Sequence, residues 1–114
     1  MSKIKKVFIS QPMNGLSQRE IKEKRESAIK RIKAAIQSYD VEIIDSFIEA
    51  EPPRIKKIPV WYLSKSIELL ADADIAYFLD SWDMNRGCII EHEVADKYGI
   101  MTIYEEDIPE IEED

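Results

Sequence analysis

One carboxylate, Glu91, combines a reactive side chain with a place where ligands bind. It follows an apolar run, Asp74 to Leu79, and a polar loop, and we predict that it lies in the first turn of the next helix. Ligands of open α/β sheets bind just beyond the carboxyl ends of the strands, so this side chain would point into the crevice. There it could act as a nucleophile or a general base. The alternative is that it only offsets the helix dipole.

The loop before Glu91 contains residue types that suit a nucleobase or a sugar phosphate. Trp82 could stack on a base, and Arg86, four residues on, could hold an anion. The alternative is that Trp82 packs over the edge of the core and that Arg86 pairs with Asp83. Both interpretations stay open at this point.

A second loop, Gln11 to Ser17, is predicted to connect the first strand to the first helix. It begins with Gln11, Pro12, Met13 and Asn14. Free backbone N–H groups and the helix dipole make such a place favourable for anions. The loop has neither GxGxxG nor the Walker lysine, so the common dinucleotide and P-loop sites do not apply. The alternative is an ordinary turn between a strand and a helix.

The chain contains one histidine and one cysteine, which argues against a zinc site. Glu91, His92 and Glu93 are adjacent on a helix, so their side chains diverge. We expect no metal and no cofactor. His92 is predicted to be a surface or packing residue, and Cys88 a small packing residue rather than a nucleophile.

Hydrophobic periodicity predicts alternating strands and helices. The predicted strands are 6–10, 41–45, 74–79 and 100–104, and helices begin after Ser17, near Pro59 and near Gly87. This β-α-β-α-β-α-β order favours a parallel sheet with helices on both faces. We expect a single-domain three-layer α/β sandwich, Rossmann- or flavodoxin-like, with strand order 2-1-3-4.

The acidity of the chain is concentrated at its end. The net charge is −7, and residues 105–114 contain seven acids and no base. The remainder is balanced, which argues against general nucleic-acid binding because that needs a basic stripe. We expect a domain over 1–104 and a solvated acidic tail over 105–114, so that truncation after Tyr104 leaves folding and ligand binding intact.

Two further features concern the compartment of the protein. No segment approaches the roughly 20 apolar residues of a membrane helix, so no membrane partner is expected. A single cysteine cannot form an intramolecular disulfide, which fits a reducing compartment. We expect a cytoplasmic protein.

Three segments carry a resemblance to a known family: 8–15, 73–77 and 86–93. They resemble the domain of unknown function numbered 4406, over nearly the whole chain except the acidic tail. This resemblance implies a relationship to the nucleoside 2-deoxyribosyltransferases and the nucleoside-monophosphate N-glycosidases. Likeness to these enzymes rests on element order, the Ala-Asp start of the third strand and the spacing of Gly87 and Glu91.

The resemblance implies a site and a reaction. In those enzymes a glutamate at the position of Glu91 attacks C1′ of the (deoxy)ribose, the base leaves, and water or a second base resolves the glycosyl-enzyme, as in a retaining glycosidase. The first loop would lie near the sugar and base, and Asn85 would contact the sugar or phosphate. Relatives complete their sites across subunit contacts, which implies a homodimer or a larger homo-oligomer.

The chain departs from these enzymes at one position. They carry an aspartate eight residues ahead of the position of Asp74, and this chain has Ser66 there. A serine can hydrogen-bond but cannot act as an acid near neutral pH. The first hypothesis is therefore an N-glycosidase or deoxyribosyltransferase with Glu91 as nucleophile. The others are a nucleotide-binding module without turnover, which Ser66 favours, and an interaction domain that uses the acidic tail.

Overall fold

A computed structural model describes residues 4–37, 40–46 and 48–108. The elements are β1 (Ile4–Ser10), α1 (Gln18–Ala35), β2 (Asp40–Ile43), α2 (Ile58–Leu70), β3 (Ile75–Phe78), α3 (Arg86–Lys97) and β4 (Met101–Tyr104). Short 3-10 helices follow β3 and β4, at Trp82–Met84 and Glu105–Asp107. The predicted order of strands and helices is confirmed. Among the described helices, none is both long and apolar enough to cross a membrane.

The four strands form one parallel sheet in the order β2-β1-β3-β4, which confirms the predicted topology. Ser10 at the end of β1 is in register with Phe78 at the end of β3, and Phe78 with Tyr104 at the end of β4. The chain moves from β1 toward one edge of the sheet and then returns past β1 to the other edge. The boundary between β1 and β3 is therefore the topological switch point, where open α/β sheets bind ligands.

Two hydrophobic clusters cover the two faces of the sheet. On one face Val7 and Ile9 of β1 pack with Ala28 and Ile32 of α1. On the other face Phe8 of β1 and Phe78 of β3 pack with Leu70 of α2 and Ala95 of α3. Every residue of β3 is buried, as its continuous apolar run predicted. α2 and α3 thus lie on one side of the sheet and α1 on the other.

The start of α1 also follows its sequence signal. The Ser17 hydroxyl accepts a hydrogen bond from the backbone N–H of Glu20 (3.1 Å), and the Glu20 carboxylate accepts one from the N–H of Ser17 (3.3 Å). This capping box satisfies two donors that a helix start would leave unpaired. It fixes where the loop after β1 ends.

The first residues of the acidic segment pack on the domain, which corrects the expectation of a solvated chain from Glu105 onward. Glu105 forms an ion pair with Arg31 of α1 (3.0 Å), in which the two side chains are 15% and 11% exposed. The Tyr77 hydroxyl lies 3.4 Å from the other Glu105 oxygen, and Ile108 packs against the core. Acidic composition did not reveal that Glu105 has a basic partner on α1. Residues 109–114 lie outside the described residues.

This contact reverses the expected effect of truncation. A chain that ends at Tyr104 loses the counter-charge of Arg31 and the apolar surface that Ile108 covers. We expect it to lose about 2 kcal/mol of unfolding free energy, measured by urea denaturation. A chain that ends at Ile108 keeps both contacts and is the matched control. Equal midpoints for the two truncated chains would contradict this prediction.

Candidate active site

Glu91 lies inside the protein, facing the end of β1. Its side chain is 7% exposed, and the Ser10 hydroxyl donates a hydrogen bond to Glu91 Oε1 at 2.8 Å. Because α3 begins at Arg86, Glu91 lies in the second turn of the helix; the prediction that it lies in the first turn was wrong. Interaction with the helix dipole, which is confined to the first turn, is therefore not the reason for a glutamate at this position. The contact with Ser10 places it at the switch point between β1 and β3.

Burial changes the protonation of this carboxyl group. Loss of hydration raises the pKa of Glu91 to about 7, although the hydrogen bond from Ser10 acts to lower it. Near neutral pH the group therefore exists in both its ionised and its protonated form. A carboxyl group with such a pKa can serve as a nucleophile when ionised or as a general acid when protonated.

Cys88 lies one turn before Glu91 and is buried on the same side of α3. Burial raises the pKa of its thiol to about 11; a hydrogen bond with Ser10 lowers it and the charge of Glu91 raises it. The thiol is therefore protonated at neutral pH and is a poor nucleophile. This agrees with the predicted packing role. In the described part of the chain, no three His, Cys, Asp or Glu side chains are grouped so that they could hold a metal ion.

Asn85 caps the helix that carries Glu91. Its side-chain oxygen accepts a hydrogen bond from the backbone N–H of Cys88 at 3.1 Å. Such a cap satisfies a donor of the first turn and fixes where the helix begins. Gly87 leaves ordinary room for a side chain, since a Cβ there would meet Asn85 Oδ1 at 3.5 Å. The structure thus gives Asn85 a local role and gives no steric reason for Gly87.

Replacement of Asn85 tests how much its cap of α3 stabilises the protein. We expect Asn85→Ala to lower the free energy of unfolding by about 1 kcal/mol, since the Cys88 N–H loses its acceptor. Asn85→Asp keeps the acceptor and should retain the stability. Urea denaturation measures both, with the exposed Asn14→Ala as control. An unchanged midpoint for Asn85→Ala would show that the cap does not matter.

Trp82 packs on other aromatic side chains at the end of the sheet. Its ring stacks on His92 (centroids 4.2 Å apart, planes at 27°) and contacts Phe78 and Tyr104. His92 Nε2 and the Tyr104 hydroxyl are 2.6 Å apart and share a hydrogen bond. Packing over the edge of the core is therefore confirmed for Trp82, and so is the packing role of His92. Stacking on a ligand stays a prediction for the part of the Trp82 ring that remains exposed.

The loop after β1 is held to the first helix by Gln11. This side chain is 8% exposed, and its amide nitrogen donates to the backbone carbonyl of Ile21 at 2.7 Å. Pro12 is half-buried, and Met13 and Asn14 are exposed. Gln11 thus shapes the loop, and Met13 and Asn14 are exposed on it.

Two predicted residues are not connected to Glu91 by hydrogen bonds. Ser66 is half-buried on α2, and among the described residues it is no hydrogen-bond partner of Glu91. Arg86 is exposed at the start of α3, and in the same part of the chain it forms no ion pair with Asp83. The suggested Arg86–Asp83 pair was therefore wrong.

Sequence reasoning missed Ser10, which contacts the carboxyl group directly. Ser10 was assigned only to the first strand. Its signal is the alternation along β1, in which Phe8 and Ser10 share the face covered by α2 and α3. A polar residue that ends a buried strand on that face is placed to meet a side chain of the next layer.

Comparison with known proteins identifies a family and a fold. The family model described as Domain of unknown function (DUF4406) matches residues 5–104. A solved structure of a conserved protein from Enterococcus faecalis V583 is similar, with a TM-score of 0.63 and 16% identity over 89% of this chain. This chain covers 62% of that protein, less than two thirds of its length, and a likeness at this identity shows the fold alone. No curated protein matches the chain.

Proposed function

The chain belongs to the family of the Domain of unknown function (DUF4406), and we propose that it is an N-glycosidase or 2-deoxyribosyltransferase acting on nucleosides or nucleoside monophosphates. The observation that carries this proposal is the buried Glu91 carboxyl group, held by Ser10 at the switch point. Perturbed carboxyl groups in such places are typical of active sites. The resemblance to the deoxyribosyltransferases, stated above, supports the choice of substrate class.

In the proposed reaction, ionised Glu91 attacks C1′ of the sugar. A C–O bond forms to Glu91, and the C1′–N bond breaks with its electron pair passing to the base. The base takes up a proton from solvent or from a neighbouring acid. Water or a second base then attacks C1′, the C–O bond to Glu91 breaks and frees the carboxylate, and the attacking group gives up a proton to solvent. Water gives a hydrolase and a second base gives a transferase.

The other predicted residues would bind the substrate around this carboxylate. Arg86, exposed beside the start of α3, suits a phosphate or sugar hydroxyl because its guanidinium offers several donors. Asn85 lies next to it and is already used as a cap. In this proposal residues 12–14, which follow β1, and Trp82, which follows β3, would border the substrate. The reaction as written requires no metal or cofactor.

Base release tests the proposal. The wild-type protein is incubated with a panel of purine and pyrimidine ribonucleosides, 2′-deoxynucleosides and their 5′-monophosphates, and free bases are separated by chromatography. Release from at least one class would support the enzyme and show the preferred sugar and phosphate state. A second panel with added acceptor base separates transfer from hydrolysis. No release from any member would contradict the proposal.

A nucleotide-binding module without turnover is the second candidate. The observation that favours it is Ser66, a hydroxyl where the related enzymes have an acid. This candidate predicts that members of the same panel raise the melting temperature without base release. A melting temperature unchanged by every member would count against it.

A further inference from the structure

Ser10 forms a hydrogen bond with one of the two carboxyl oxygens of Glu91. Its hydroxyl is 2.8 Å from Oε1 and is itself enclosed, with 1% of the residue exposed. Oε1 therefore has a fixed partner on β1. In the described part of the chain, Oε2 has no hydrogen-bond partner, and no enclosed side-chain nitrogen or oxygen lacks one. Oε2 must therefore contact solvent.

The Ser10 hydroxyl is the donor of this hydrogen bond when Glu91 is ionised. A carboxylate can only accept, and a serine hydroxyl has one proton to donate. The hydrogen bond therefore favours the ionised form of Glu91 and acts to lower its pKa.

We infer that Ser10 is the positioning residue of Glu91: it fixes Oε1 against β1 and leaves Oε2 as the oxygen that reacts. This inference rests on the proposed function for the role of Oε2. The hydrogen bond itself can be tested without any turnover. Burial and the Ser10 hydrogen bond are the influences on the pKa of Glu91, and no charged group of the described residues adds to them. A change at Ser10 should therefore appear directly in the titration of Glu91.

The test is a carbon-13 NMR titration of the Glu91 carboxyl group in Ser10→Ala, with Glu91→Gln used for assignment. Removal of a donor that favours the ionised form should move the Glu91 midpoint to higher pH by about one pH unit. Ser64→Ala is the matched control, because that hydroxyl donates to the carbonyl of Trp61 on α2 (2.6 Å). If Ser10→Ala does not fold, Ser10→Cys keeps a weaker donor, and its midpoint should lie above that of the wild type.

The outcomes separate this inference from the proposed function. An unchanged midpoint in the variant that folds would overturn the positioning role, even if the wild type releases bases. A raised midpoint in a protein that releases no base would support the hydrogen bond and overturn the role of Oε2 as reacting oxygen. A raised midpoint together with an acid limb of kcat/KM moved to higher pH by the same amount would support both.

Discussion

Glu91→Gln should lower the rate of base release by on the order of 10⁴-fold, because an amide is a poor nucleophile toward C1′. The substitution preserves the size of the side chain, and its carbonyl oxygen can still accept the hydrogen bond that Ser10 donates to Oε1. The loss should therefore be chemical rather than structural. Single-turnover and steady-state rates on the best substrate of the panel measure it.

The matched control is Glu93→Gln. Glu93 lies on the same helix, is exposed, and approaches Lys97 at 3.7 Å. We expect this variant to keep the wild-type rate, since an exposed ion pair of this kind contributes little. Retention of base release in Glu91→Gln would exclude Glu91 as the nucleophile, and an equal loss in Glu93→Gln would show that the loss is not specific to Glu91.

Glu91→Gln should also stabilise the protein above pH 7. The ordinary pKa of this carboxyl is 4.5 and burial raises it to about 7, so the folded state retains a proton that the unfolded chain has lost. Stability of the wild type therefore falls as pH rises from about 4.5 to about 7, and it does not recover above that range. The full difference corresponds to at most about 3 kcal/mol. The neutral amide does not titrate and has no such loss.

Urea denaturation of both proteins at several pH values tests this sign. Other carboxyl groups also titrate, but they are common to the two proteins, so the difference in free energy isolates Glu91. The difference should be small at pH 4 and should grow in favour of the variant up to about pH 7.5. A difference that is constant with pH would show that the folded protein does not perturb Glu91.

The fold could be predicted from the sequence because the patterns that indicate its helices and strands are local and repeated. The apolar stripe of α1, its Ser17–Glu20 capping box and the continuous apolar run of β3 each predicted the element that the structure contains. Alternation of strands and helices then restricted the topology to few possibilities, and the order 2-1-3-4 is the one observed. Expected oligomerisation and cellular location stay predictions.

The site was predicted less completely, since it depends on contacts between distant residues. Ser10 and Glu91 are 81 positions apart, and Arg31 and Glu105 are 74 positions apart. No local pattern contains such pairs. Trp82 and His92 likewise looked separate in the sequence, but they stack in the structure. Residue type and strand order predicted the crevice, whereas the contacts that hold its side chains join residues that are distant in the sequence.

Mass spectrometry of a trapped intermediate tests the central claim most directly. A 2′-deoxy-2′-fluoro analogue of the preferred nucleoside slows both steps, because fluorine at C2′ disfavours the oxocarbenium-like transition state, and hydrolysis of the intermediate should be slow enough to observe. The account predicts that the wild-type protein gains the mass of one fluorinated glycosyl group, that peptide mapping places it on Glu91, and that Glu91→Gln gains nothing. Base release without an adduct on Glu91, or the same adduct in Glu91→Gln, would contradict it.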